Sequence, residues 1–423
     1  MPEIDSQPTN ELHPNDLHPN DLQIDGERLW ATLHELAEIG ATPAGGVARV
    51  ALTDVDRIGR DRFVEWATEV GCSIHIDRMG NLFARREGSD PLRDPVVIGS
   101  HLDSQPTGGK FDGAYGVMVG LEILRVLEQA DHLTAAPIEV VSWTNEEGAR
   151  FPPAMIGSGV FGGAFSLEAG LGATAADGAR LGEELARIGY SGQELPGARP
   201  IGFYLEPHIE QGPILEAGEH TIGIVTGVQG IRWYDVEVTG KESHAGTTPM
   251  ERRSDAMVSA ARLVAAADDI ARRRLPDGRS TVGVLTASPG SRNTIAGHAT
   301  MTVDLRHPDP DELERMNNEL FEAAAALDPA PTVEQIWYSP PITFDPDIVD
   351  ALRQGATDLG LAPVDITSGA GHDACYISRI APTGMVFIPC EDGLSHNEAE
   401  NITAPHSLAG AEVTLQAVLR LAR

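Results

Sequence analysis

The sequence predicts an α/β protein: a central mixed, largely parallel sheet flanked by helices, plus an inserted α+β domain. Three observations predict it. Val96, Val97 and Ile98 form a short apolar, β-branched run, and Ile138–Trp143 forms another. Between them Val117, Leu121, Leu124 and Val126 recur at helical spacing, so the order is strand, helix, strand and the two strands are parallel. From Gly230 the pattern changes to βαββαβ, the split order of a ferredoxin-like domain, before α/β character returns near residue 341.

Taken in order, residues 1–25 carry a direct repeat, Leu12–Asp16 and Leu17–Asp21, rich in Pro, Asn and Asp. Without apolar periodicity this reads as a disordered tail, and His13 and His18 as part of it rather than as metal ligands. Gly26–Ile39 and Arg57–Val70 read as helices. Cys72–Ile76 and Asn81–Ala84 read as a hairpin turning at Met79-Gly80. Leu181–Ile188 is a short helix, and Gly202–Glu206 a strand leading into Pro207-His208-Ile209-Glu210-Gln211-Gly212. In the insertion Ile231–Val238 alternates, with Trp233, Asp235 and Glu237 against Tyr234, Val236 and Val238. Helix Ser254–Arg273, strands Thr281–Ala287 and His298–Arg306, helix Pro310–Leu327 and strand Thr332–Tyr338 complete it. Helix Asp347–Leu359, strand Thr383–Ile388 and helix Ser407–Ala422 close the chain. The expected division is 26–229 with 341–423 as a catalytic domain, and 230–340 as the insertion.

His101, Asp112, Glu146, Glu147, His208 and His396 all fall just after predicted strands of one sheet. In open α/β sheets ligands sit at that edge. Imidazoles and carboxylates there suit borderline divalent metals, a carboxylate can bridge two cations, and an adjacent Glu-Glu pair can divide into ligand and general base. His-x-Asp alone is an ordinary hydrogen-bonded loop pair, and Glu-Glu alone is common on surfaces. Six such groups at strand ends are a far more specific signal.

The motifs GSHLDS, GGKFDGAYGV, WTNEEGARF, PHIEQGP, GKESHAGTTPM and LSHNEAE together resemble the M20 metallo-amidohydrolases. More narrowly they resemble the hydantoinase/carbamoylase branch, which contains N-carbamoyl-L-amino-acid hydrolases, β-ureidopropionases and allantoate amidohydrolases. The resemblance runs from about Trp30 to the C-terminus. It implies two divalent metal ions per subunit, Zn²⁺ or Mn²⁺, with Co²⁺ or Ni²⁺ also compatible. Asp112 would bridge them, His101 and His208 would complete one set, and Glu147 and His396 the other. Glu146 would be the general base, and Asp103 would hydrogen-bond His101 and fix its tautomer. The peptide Asp112-Gly113 is the candidate for a cis bond. His244 would help to stabilise the tetrahedral intermediate. Asn293 and Arg306 would hold a substrate carboxylate, which the planar guanidinium meets in bidentate fashion. Gln211 would contact the ureido group. Gly371 and His372, in Ser368-Gly-Ala-Gly-His-Asp373, would line the substrate site, with a purely structural role open for His372-Asp373. On residue type alone His244 is a turn cap and Arg306 a surface arginine; the resemblance is what assigns them. Trp143, Phe151 and Met155 read as core or pocket wall.

The implied reaction is hydrolysis of the ureido C–N bond of an N-carbamoyl-L-amino acid or N-carbamoyl-β-alanine, giving amino acid, ammonia and carbon dioxide. Allantoate amidohydrolase is the alternative. An aminoacylase or dipeptidase is disfavoured by His208, where peptidase members carry a carboxylate, and a metal-free binding protein by the complete ligand set. The resemblance also implies a homodimer formed through the inserted lid domain and a small-molecule carboxylate substrate.

Composition narrows the partners. The formal net charge of −32 repels nucleic acid and anionic membranes. No apolar run is long enough to span a bilayer, the acidic polar N-terminus is unlike a secretory signal, and Cys72, Cys375 and Cys390 lack CxxC spacing. These features point to a reducing, cytoplasmic setting. Lys110 and Lys241 are the only lysines. Either adaptation to high salt or a GC-rich genome with an ordinary acidic protein accounts for that balance. The salt reading predicts a melting temperature that rises with KCl from low to molar concentration, as counterions screen self-repulsion; a flat or falling curve removes it.

Overall fold

The computed structural model describes residues 22–423, so the repeat with His13 and His18 lies outside the described residues. Residues 22–25, expected in the tail, belong to the folded chain. Leu22 and Ile24 are buried, the Ile24 N–H donates to Glu412 Oε1 at 2.7 Å, and Asp25 caps helix Gly26–Glu38 by accepting from Arg28 N–H. Two apolar side chains and a helix cap hold this segment in place.

The chain forms two compact units. One comprises the chain up to Thr226 with Phe344–Arg423, and the other is Gly227–Thr343. Among the described residues the strands are β1 (Ser73–Ile76), β2 (Leu82–Arg86), β3 (Val96–His101), β4 (Ile138–Trp143), β5 (Phe203–Ile209) and β6 (Gly223–Val228), then β7 (Gly230–Thr239), β8 (Ser243–His244), β9 (Arg279–Thr281), β10 (Leu285–Ser288), β11 (Thr294–Ile295), β12 (His298–His307) and β13 (Thr332–Ser339), and finally β14 (Ile342–Thr343), β15 (Val364–Ser368) and β16 (Thr383–Ile388).

The sheet of the first unit runs β1-β2-β4-β3-β5-β16-β6, with β15 beside β6. Its centre, β4-β3-β5-β16, is parallel, and the pairs β1-β2, β2-β4 and β16-β6 are antiparallel. Every residue of β3, β4 and β16 is buried, the signature of strands covered on both faces. Helix Ala114–Gln129 packs on β3, β4 and β5, and helix Ala404–Leu421 on β16 and β5. In the parallel register His101 is opposite Trp143, and His208 is opposite Phe387. The carboxyl ends of these strands therefore open at one edge and deliver His101, the turn after Trp143 and the segment after His208 together.

The second unit follows the expected βαββαβ order, with strand order β10-β12-β7-β13 and β9 beside β12. The pairs β10-β12, β12-β7, β12-β9 and β13-β7 are antiparallel. One face packs Tyr234, Val236, Val238, Met301, Val303 and Leu305 against helices Ala256–Arg272 and Pro310–Ala325. The outward residues of β7 are Trp233, Asp235 and Glu237, as the alternation requires. The single strand expected over Thr281–Ala287 is two pieces, β9 and β10, which pair with different parts of β12. The chain enters and leaves this unit on adjacent strands, with Val228 opposite Ile342 and Gly227 opposite Thr343.

Gly99 lies within β3, where a Cβ would meet the carbonyl oxygen of Val141. Gly99→Ala is expected to cost about 1–3 kcal/mol, the usual range for overpacking a filled core. The measurement is a urea melt, in which the midpoint should fall at constant m-value; a wild-type midpoint would show that β3 and β4 have room to separate.

Candidate active site

Asp112 is buried at the centre of this sheet edge and faces two ways. Its Oδ1 is 3.3 Å from His208 Nε2 and 3.8 Å from His101 Nε2, and its Oδ2 is 3.5 Å from His396 Nε2. His396 Nε2 is also 3.2 Å from Glu147 Oε2, and His101 Nε2 is 3.5 Å from Glu146 Oε2. Two groups of three donors with metal-binding geometry result, His101-Asp112-His208 and Asp112-Glu147-His396, and they share Asp112. A third such group, Glu206-His208-His372, lies beside them. There Glu206 is already engaged, accepting from Ser100 Oγ, Tyr204 OH and Ala374 N–H.

Backbone contacts orient the imidazoles. His101 Nδ1–H donates to the Asp103 carbonyl at 2.8 Å, and His208 Nδ1–H to the Ile209 carbonyl at 2.9 Å. In the neutral ring each Nε2 is then the lone-pair nitrogen, and it faces Asp112. This corrects the role expected for Asp103. It is the main-chain oxygen that meets His101, because His-x-Asp in the extended strand end brings the carbonyl alongside the ring. The Asp103 carboxylate instead accepts from the N–H groups of Glu146 and Glu147, at 3.2 and 3.3 Å, and holds the turn that presents both glutamates. Asn145, just before them, has φ +56°, and Gln211 and His396 also have positive φ. Non-glycine residues adopt this region uncommonly, so the surrounding contacts hold these turns in place. The Asp112-Gly113 bond is not cis: the cis bonds among the described residues all precede proline. Gly113 turns the chain through φ +65° instead, and any Cβ there would strike the His101 ring.

Gln211 donates Nε2–H to Asp112 Oδ2 at 2.8 Å, while its Oε1 is buried without a partner. His372 is buried, its Nε2 is 3.0 Å from Ser368 Oγ, and its ring lies edge-on to His208 at 4.6 Å. Gly371 sits where a Cβ would meet the Met155 thioether. Gln105, Ser395 and Glu400 were not singled out from the sequence. Gln105 Nε2–H donates to Glu147 Oε2 at 2.8 Å, and Ser395 Oγ lies 2.8 Å from Asp112 Oδ2. The only sequence signal for Ser395 and Glu400 is that they flank His396 within LSHNEAE.

The donor set fits cations. Burial, then the charges of Asp373, Glu147, Asp103 and Asp112, hold the Glu146 carboxyl well above its ordinary range. Burial also works against ionised Asp112, but His208, His101 and His396 outweigh it and pull its carboxyl well down. His208 is likewise opposed by burial, yet Asp112 pushes it up to about 9; the bond to Glu147 pushes His396 up to about 9. The cluster therefore calls for positive charge at the imidazole nitrogens. A divalent cation supplies that charge directly and displaces the protons.

The other expected residues belong to the second unit. Thr294 pairs with His244 across the β8-β11 ribbon, and the Ala245 N–H donates to the Asn293 carbonyl, so His244 and Asn293 come together. His244 is exposed, and its Nδ1 accepts from the N–H groups of Gly246 and Thr247, at 3.1 and 3.2 Å. The neutral ring thereby carries its proton on Nε2, facing outward as a donor. Arg306 lies on the outward face of β12, where its Nε and Nη2 donate to the Asp304 carboxylate. That carboxylate occupies the guanidinium fork that a substrate carboxylate would need.

The chain matches the model of Peptidase family M20/M25/M40 over residues 97–420. It is 45% identical over 404 residues to an N-carbamoyl-L-amino-acid amidohydrolase of Rhizobium meliloti, covering 95% of this chain and 97% of that one. It is 37% identical to an N-carbamoyl-L-amino acid amidohydrolase of Geobacillus stearothermophilus, covering 95% and 99%. Its structure is similar to that of an amidase of the hydantoinase/carbamoylase family from Burkholderia multivorans, with TM-score 0.92, 52% identity, and 95% and 99% of the two chains covered. With the shared carboxylate, its imidazoles and the glutamate pair all in place at one sheet edge, the chain belongs to peptidase family M20/M25/M40.

Proposed function

We propose that this protein hydrolyses the ureido C–N bond of N-carbamoyl-L-amino acids, or of N-carbamoyl-β-alanine, to the amino acid, ammonia and carbon dioxide. The observation that carries the reading is Asp112 turned between two donor groups with Glu146 beside it, in a chain whose relatives of similar length are named for that reaction. His101, Asp112 and His208 would hold one divalent ion, and Asp112, Glu147 and His396 a second. Bound there, Zn²⁺ or Mn²⁺ polarises the carbamoyl oxygen and acidifies water.

Glu146 takes the proton of the attacking water and returns it to the leaving nitrogen. His244 donates Nε2–H to the developing oxyanion. Asn293 and Arg306 bind the substrate carboxylate, Arg306 exchanging Asp304 for it. The unpartnered Gln211 Oε1 accepts from the ureido N–H, and Gly371 and His372 wall the site. The three cysteines, unpaired and buried, support a reducing cytoplasmic compartment.

Ammonia release from a panel of N-carbamoyl-L-amino acids, N-carbamoyl-β-alanine and allantoate tests the substrate class, and turnover of allantoate alone would replace the reading. Glu146→Gln should keep its metal content and lose kcat by a factor on the order of 10²–10⁴. Loss of metal from that variant, with metal retained by Glu147→Gln, would exchange the two roles.

A homodimer through the second unit is part of this proposal, with His244 acting on the partner's substrate. A heterodimer of Glu146→Gln and His244→Ala subunits then has one site with both groups intact. It should recover up to about half of wild-type activity by counting sites. A heterodimer as inactive as either parent would return His244 to its own subunit or remove it from the chemistry.

A further inference from the structure

Asp112 can serve two donor groups only if its carboxylate is held at one angle, since a rotation that improves the fit of Oδ1 spoils that of Oδ2. It sits on a loop between β3 and helix Ala114–Gln129, and the constraint on that loop comes from the far end of the chain. Glu400 is buried to 2% exposure. Its Oε1 accepts from the N–H groups of Phe111 at 2.9 Å and Asp112 at 3.1 Å. Its Oε2 is 3.0 Å from Ser395 Oγ, which is in turn 2.8 Å from Asp112 Oδ2. One carboxylate thus grips the backbone that carries Asp112, next to His396, and shares the single Ser395 hydroxyl hydrogen with the Asp112 side chain. Gly109 leaves room for it, because a Cβ there would sit on the Glu400 carboxyl group.

What the carboxyl group supplies is an acceptor aimed at two successive N–H groups of the loop, a geometry that fixes position.

We propose that Glu400 is a positioning residue that sets the angle of Asp112 and so couples the two metal positions. The inference rests on the reading of Asp112 as a shared ligand, and extends it to a residue that touches no metal. It follows that loss of Glu400 weakens both positions together, whereas loss of Glu147 weakens one.

The test is equilibrium dialysis of the full-length metal-free chain against Co²⁺, without substrate, beside a thermal melt of the same metal-free samples. Glu400→Ala should weaken both Co²⁺ positions by about 10–100-fold, the usual cost of removing such a support. Glu400→Gln, whose Oε1 accepts the same two N–H groups, should restore most of that affinity. Gly109→Ala leaves Glu400 in the sequence but displaces its carboxyl group, and should weaken both positions. If Glu400→Ala fails to fold, Glu400→Gln and Gly109→Ala decide between them. Wild-type affinity in Glu400→Ala or in Gly109→Ala overturns the proposal, as does Glu400→Gln binding as weakly as Glu400→Ala or a loss confined to one position. Failure of the carbamoyl panel leaves this readout untouched. A wild-type chain that takes up no Co²⁺ overturns the shared-ligand reading and this proposal with it.

Discussion

The constraint on which the site depends is one buried carboxylate made to face two sets of imidazoles at once. Asp112 has a single side chain and two oxygens, and each oxygen is committed to a different set of partners. Everything around it serves that arrangement. Parallel strands bring His101 and His208 to one side, the loop after β16 brings His396 to the other, and main-chain carbonyls hold the first two rings by their far nitrogens. The cost is a crowd of like charges away from water. Glu146, Glu147 and Asp103 lie within the same few ångströms, and burial pushes the carboxyls of Glu146 and Asp103 up from their ordinary range. The imidazoles offset part of that cost, and a cation would offset the remainder.

Much of this architecture was legible in the sequence, for a physical reason that differs between elements. The limits of β4 and β16 are legible because a strand buried on both faces is a continuous apolar run with sharp polar ends. β7 and β12 were legible because a half-covered sheet alternates. β6 and β15 were not recognised. Their sequences, GIVTGV and VDITS, mix glycine, threonine and aspartate into short segments whose burial is decided by neighbours far along the chain. Gly283 explains the division of one expected strand into β9 and β10, since an unsupported glycine breaks a short run.

The same distinction runs through the site. Residue types and strand-end positions pick out His101, Asp112, Glu146, Glu147, His208 and His396, because donor chemistry is written in the side chain, and the fold brings these six groups together. The supporting contacts were not legible, because they are made by whichever atom lies close. Asp103 was expected to reach His101 by its carboxylate and does so by its carbonyl. Gln105 carries no mark in the sequence, Ser395 and Glu400 have only their nearness to His396, and it is the fold that brings Glu400 beside Phe111 and Asp112.

The adjacent crossings between the two units have a consequence for the history and handling of the chain. Val228 and Ile342 are antiparallel partners, so their backbones lie about 4.5–5.5 Å apart, a gap that a two-residue hairpin turn spans. Residues 229–341 thus occupy the place of a turn. A genetic insertion at a hairpin tip disturbs neither flanking strand, which is how a second folding unit can be acquired, exchanged or excised as a cassette while the sheet that houses the donor cluster keeps its register.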